Sequence, residues 1–191
     1  MIGEPGKFTC SISATSEPFM DEPDGAEVYY TALGRALILW GRFEFHLSQG
    51  LRLAADLPEA TDLRPKILPI SIKRQAALFR LLVRKIPCLS IIKKPTLQIL
   101  PDVLHAAQDR HVLVHGHWNG FVSREPLACR FQMIKEMNTK IKFEQYDITL
   151  PMLGNLALMF DSLNTRLVPI IFALVSLYPN PKSSKSETPM A

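Results

Sequence analysis

Cysteine is scarce in this sequence. Cys10, Cys88 and Cys129 are the only three, far apart and with no CxxC pair. An odd, scattered set argues against a disulfide framework and a structural zinc site, and points to a reducing, cytoplasmic setting. The glycine-rich loops GxGxxG and GxxxxGK do not occur, so the common phosphate-cradling motifs are missing. A GxSxG nucleophile elbow is also absent. Met1-Ile2-Gly3-Glu4-Pro5 shows no basic stretch leading into an apolar run, so no secretion signal is expected. The strongly apolar run Leu167–Tyr178 is twelve residues long, short of the roughly 20 a spanning helix needs, and Arg166, Asn164 and Asp161 precede it. It reads as a buried core helix, and no membrane partner is expected. No internal repeat is visible.

The 191 residues suit one domain with a real core, and 47% hydrophobic against 21% charged is an ordinary globular balance. A net charge of +4 permits a polyanionic partner such as RNA without demanding one, since Lys182 and Lys185 of the C-terminal segment supply part of it.

Residues 1–24 mix Ser, Thr, Pro, Gly and acids without periodicity and read as a flexible arm. The domain itself is expected over 25–178. Leu33, Leu37, Trp40, Leu47 and Leu51 then mark one face of a long helix from Ala26 to near Pro58. Glu44 lies on that stripe, where a carboxylate needs a partner or a changed pKa. Pro58, Pro65 and Pro69 mark a connector. Ser71 can cap a second helix to about Arg84, with Ile72, Ala76, Phe79 and Val83 inward, and Pro87 ends it. A third helix opens at Pro101, or with a kink near Thr96. Between Gly120 and Tyr146 lie β-prone stretches, with a hairpin turn at Asn138-Thr139. Thr149 caps a last long helix whose stripe is Leu150, Leu153, Leu156, Ala157, Phe160, Leu163 and Leu167, kinked or split at Pro169. Residues 179–191, rich in Pro and Ser, read as a disordered tail. The expected fold is all-α, a four- or five-helix bundle with a small β-hairpin inserted before the last long helix.

Chemistry concentrates in Asp109-Arg110-His111-Val112-Leu113-Val114-His115-Gly116-His117-Trp118. On a helix, Arg110 and His115 stand about 140° apart around the axis, so a helix start or tight turn is expected to bring both to one cleft. Arginine grips phosphate in two-pronged fashion, and histidine moves protons near neutrality. Together they suffice for RNA cleavage without metal: His115 does acid–base work on the ribose 2′-hydroxyl or leaving oxygen while Arg110 steadies the phosphate. His111 would orient or assist. Gly116 allows close approach, and His117 and Trp118 offer flat surfaces to an unpaired base.

This stretch resembles the HEPN domains, named for higher eukaryotes and prokaryotes nucleotide-binding. Their signature is an Arg, a polar residue, a few mostly apolar residues and a His, late in a bundle of four or five helices. Here it is Arg110-His111-Val112-Leu113-Val114-His115-Gly116, with Gly116 and Trp118 matching the Gly and aromatic residue that often follow. The likeness runs loosely from residue 26 to 168 through the order of elements. It implies a metal-independent endoribonuclease of a toxin or phage-defence kind, with no cofactor. It also implies a homodimer whose two protomers each supply an Arg and a His, and a partner antitoxin. An inward carboxylate near the Arg is frequent in the family; Glu44 is the match, with Asp109 as further support. The toxin branch carries a Tyr two residues after the His. His117 stands there, so control by tyrosine modification does not carry over.

Two other readings exist. A non-catalytic module of the same fold would bind RNA, nucleotide or protein, with Arg110 paired to Glu44 and His115 a satisfied core histidine. A metal site would use His111 and His115, four apart on one helix face, with Asp109 and His117 nearby; the Glu of HExxH is missing, and only His105 or His46 could extend the set. Lys73, Arg74, Arg80, Arg84, Lys85, Lys93 and Lys94 could face RNA, though such charges more often solvate a helix face.

Overall fold

A computed structural model describes residues 10–11, 22–137 and 140–178. The 179–191 tail and the Asn138-Thr139 turn fall outside these, as does most of the 1–24 arm. Cys10–Ser11 of that arm form a short strand, β1. The elements that follow are α1 (Ala26–Ala55), α2 (Ile72–Lys85), α3 (Ser90–His115), β2 (His117–Arg124), β3 (Leu127–Met137), β4 (Lys140–Thr149) and α4 (Leu150–Ser176). The fold is mainly helical: four helices, with a three-stranded antiparallel sheet inserted before the last long one.

That sheet corrects the all-α expectation and its single small hairpin. β2, β3 and β4 run 8, 11 and 10 residues, and β1 adds to the outer side of β4, giving the order β1-β4-β3-β2. β2 was concealed in the sequence by two register shifts, between Trp118 and Gly120 and between Phe121 and Ser123. Each bulge breaks the two-residue alternation by which a strand is read. Gly120 sits within the first at φ +108°, a conformation open to glycine at no steric cost.

α3 is the second correction. It starts at Ser90, after a 3-10 turn at Pro87–Leu89, and carries Pro95 and Pro101 inside it. A proline in a helix interior removes a hydrogen bond and costs about 3 kcal/mol. The buried apolar series Ile92, Ile99, Leu100 and Val103 runs through both prolines at helical spacing, and this burial offsets the cost. Pro169 likewise stands inside α4 without splitting it. α4 is therefore 27 residues long rather than an apolar run of twelve, and by length and composition alone it could cross a membrane.

The described residues gather into two compact units. One holds the chain up to Phe43 with Asp102–Asn164; the other holds Glu44–Pro101 and the residues from Thr165 onward. In the first, one sheet face presents Phe121, Cys129, Phe131, Met133 and Ile148 inward, and the Tyr29 hydroxyl donates to the Ile148 carbonyl at 2.8 Å. The Trp40 and Phe160 rings meet edge to face, centroids 5.0 Å apart, and the buried Asn164 amide donates to the Leu39 carbonyl at 2.9 Å. Arg130 and Asp147, paired across β3 and β4, form a two-pronged salt bridge at 2.7 and 2.9 Å.

In the second unit Phe79, Leu82 and Val83 of α2 are buried, as are Leu47, Leu51, Leu89, Ile92, Leu167 and Leu174. Gly50 lets helices approach: a Cβ there would already touch Ile171 at 3.4 Å. The Gln75 amide donates to the Pro69 and Ile70 carbonyls at 3.0 and 3.2 Å, tying the proline-rich connector to α2. Ser71 stands at the start of α2 in extended backbone, yet its hydroxyl makes no capping bond. Thr149 does cap α4, accepting from the Met152 N–H at 3.4 Å.

Candidate active site

The motif spans the last turns of α3, the bend at Gly116 and the first residues of β2. Arg110, His111 and His115 thus lie at a helix end, not at a helix start or in an isolated turn. Val112 and Leu113 are buried and continue the inward stripe from Val103 and Ala106, which holds the chain helical as far as His115. Gly116 then ends the helix. Its N–H donates to the Val112 carbonyl at 2.9 Å, and a Cβ at this position would lie 2.5 Å from that same oxygen and 3.2 Å from Phe131 Cβ.

His111 and His115, four residues apart, share one helix face. Both are exposed, with ring centroids 4.7 Å apart and planes inclined at 48°. Arg110 is half-buried, and its Nη1 reaches to 3.4 Å from His115 Nε2. The angular offset between positions 110 and 115 is thus overcome by the length of the arginine side chain. Guanidinium only donates, so a hydrogen bond across this gap requires His115 Nε2 as its acceptor. One cation and two imidazoles are gathered on a surface that substrate can reach.

The other candidates are placed differently. Asp109 is two positions before His111, about 200° around the helix, and only 7% exposed. It points inward and away from the histidine pair. His117 and Trp118 open β2 on alternate faces: His117 is paired with Gln132, whereas Trp118 turns toward Phe121, centroids 6.1 Å apart. Trp118 is still 46% exposed. Glu44 is half-buried on α1, in the second unit, whereas Arg110 belongs to the first. Lys73, Arg74, Arg84, Lys85, Lys93 and Lys94 are exposed in the second unit. Among the described residues no group of three or more His, Cys, Asp or Glu is arranged to hold a metal ion, so the metal reading finds no ligand set there.

Tyr30 is the neighbour that sequence reasoning missed. From the first turns of α1 its ring meets Trp118 edge to face at 5.5 Å and Phe121 at 6.0 Å. Nothing in the pattern of α1 links residue 30 to residue 118; only folding makes them adjacent.

Burial pushes the Asp109 carboxyl up to about 6, against a smaller downward pull from His105 one turn earlier. The folded protein therefore holds this proton across a range in which the unfolded chain, near 3.8, has lost it. Stability contributed by the neutral form is complete below about pH 4 and is lost as pH rises through about 6. Asp109→Asn cannot ionise and should exceed the wild type in stability at pH 7.5 by at most about 2–3 kcal/mol. Urea midpoints at pH 7.5 and 3.5 measure this: the difference should vanish at the lower value. Equal midpoints at pH 7.5 would mean that the carboxylate is not penalised by its burial.

No protein-family model, curated protein or solved structure matches the chain.

Proposed function

We propose that the chain is a metal-independent endoribonuclease of the HEPN kind, acting at the C-terminal end of α3. The observation that carries this reading is the approach of Arg110 Nη1 to His115 Nε2 at 3.4 Å, with the His111 ring beside them. Arg110 takes a non-bridging oxygen of the scissile phosphate and stabilises the charge that grows on it. His115 accepts the 2′-hydroxyl proton, and the 2′-oxygen attacks the neighbouring phosphorus. His111 orients or assists. Trp118, half-exposed and braced at its edge by Tyr30, offers a face for an unpaired base. Exposure of His115 also weighs against its being a satisfied core histidine.

The test is incubation of the purified protein with a mixed-sequence RNA in EDTA. Cleavage leaving 2′,3′-cyclic phosphate and 5′-hydroxyl ends, with no cleavage of the 2′-deoxy counterpart, is the expected result. A folded protein that binds this RNA without cutting it would sink the nuclease reading and assign a binding module instead.

A further inference from the structure

We propose that His111 is the general acid of this site, so that a single chain carries both proton-transfer groups of the cleavage. The inference rests on the nuclease reading above and adds a role and an economy to it. Scission of an RNA phosphodiester needs two proton movements at opposite ends of the phosphorus. A base removes the 2′-hydroxyl proton as the 2′-O–P bond forms, and an acid protonates O5′ as the P–O5′ bond breaks. One histidine per chain would leave the second movement to water or to another copy. This chain has two on one helix face.

The geometry divides the labour. His115 Nε2 lies 3.4 Å from Arg110 Nη1, so His115 stands beside the cation that takes the phosphate and is assigned the base. The His111 ring is centred 4.7 Å away and tilted by 48°, so the two rings are not stacked face to face and can each address a different oxygen. Paired metal ions grip the attacking and leaving oxygens of such a displacement from about 3.5–4 Å apart, so rings at this spacing have a comparable reach. The 2′-hydroxyl proton passes to His115, and the imidazolium proton of His111 passes to O5′. The products are a 2′,3′-cyclic phosphate and a 5′-alcohol. Exchange with water returns each histidine to its starting form, and no oxidant, reductant or co-reactant is consumed.

An acid matters only when the leaving group needs a proton. The experiment maps a cleavage site of the wild type, then replaces the bridging O5′ at that linkage with sulfur, which departs as a thiolate. His111→Gln should slow cleavage of the ordinary linkage by about 10²-fold or more, and the loss should shrink to within about threefold on the sulfur-bridged one. His115→Gln should lose both. An equal loss on the two linkages for His111→Gln would reduce His111 to a positioning residue, and no loss on either would remove it from the reaction. Should the wild type cleave no RNA at all, the nuclease reading itself falls; cleavage with an unaltered His111→Gln overturns this inference alone. Circular dichroism and urea midpoints of the exposed-site variants establish that each is folded.

Discussion

His115→Ala should lower RNA cleavage by about 10³-fold while leaving the urea midpoint within about 0.5 kcal/mol of the wild type. The two halves of that expectation have separate causes. His115 is the last residue of α3 and its ring is exposed, so truncation opens no cavity. In the proposed reaction its ring, 3.4 Å from Arg110 Nη1, accepts the proton, and proton transfer by a positioned side chain is worth about 10²–10⁴-fold in rate. Arg110→Lys keeps the charge but loses the planar fork, and should cost about 10²-fold. The partner measurement is stability. If Arg110→Ala unfolds the protein more readily and cleavage by the folded fraction is unchanged, the arginine holds the structure and the nuclease assignment fails.

The second large effect is expected at Gly116. Its added methyl would stand 2.5 Å from the Val112 carbonyl oxygen, a backbone atom that cannot swing aside, and 3.2 Å from Phe131 Cβ in β3. Gly116→Ala must therefore shift the helix end or the strand, at a cost of about 1–3 kcal/mol. His115 immediately precedes this residue and His117 follows it, so a shift here also displaces the site. Cleavage should drop at least about tenfold even where the protein is fully folded, because small misplacements of catalytic groups are expensive. Gly41→Ala is the control: a Cβ there meets nothing within 4 Å, and alanine should raise helix stability by up to about 1 kcal/mol. Equal behaviour of the two variants would show that the junction at Gly116 yields freely and has no part in aiming the histidines.

Much of the helical framework was legible because burial repeats at helical spacing. Trp40, Leu47 and Leu51 in α1 and Leu153, Phe160 and Leu167 in α4 were all read from that period and are all buried. The caps were read less evenly. Thr149 and Ser71 have the same kind of hydroxyl at the same position, and one makes its bond while the other does not. A cap residue states where a helix can begin, whereas the bond depends on a rotamer that the surroundings choose. Tyr29, Ala36 and Phe43 are core residues that the α1 stripe did not include, and Leu33 and Leu37, which it did, are half-buried. A small error in the angle of the buried face moves such flanking positions across its edge.

The sequence by itself determined where the candidate site lies. Arg110, His111 and His115 crowd a permanent cation and two titratable groups together beside a glycine, and this is local information. It also determined the order of the long helices, since a periodic apolar stripe leaves few alternatives to burying it. Tertiary structure decided the rest. It carried α3 through Pro95 and Pro101, because packing along the whole stripe outweighs the loss of two backbone bonds. It built β2 through two bulges, whose pairing partners in β3 are remote in sequence and invisible to local pattern. It turned Asp109 inward and the two histidines outward, and it brought Tyr30 to Trp118. Each of these depends on which surface lies opposite, and a residue's own neighbours in the chain do not specify that surface.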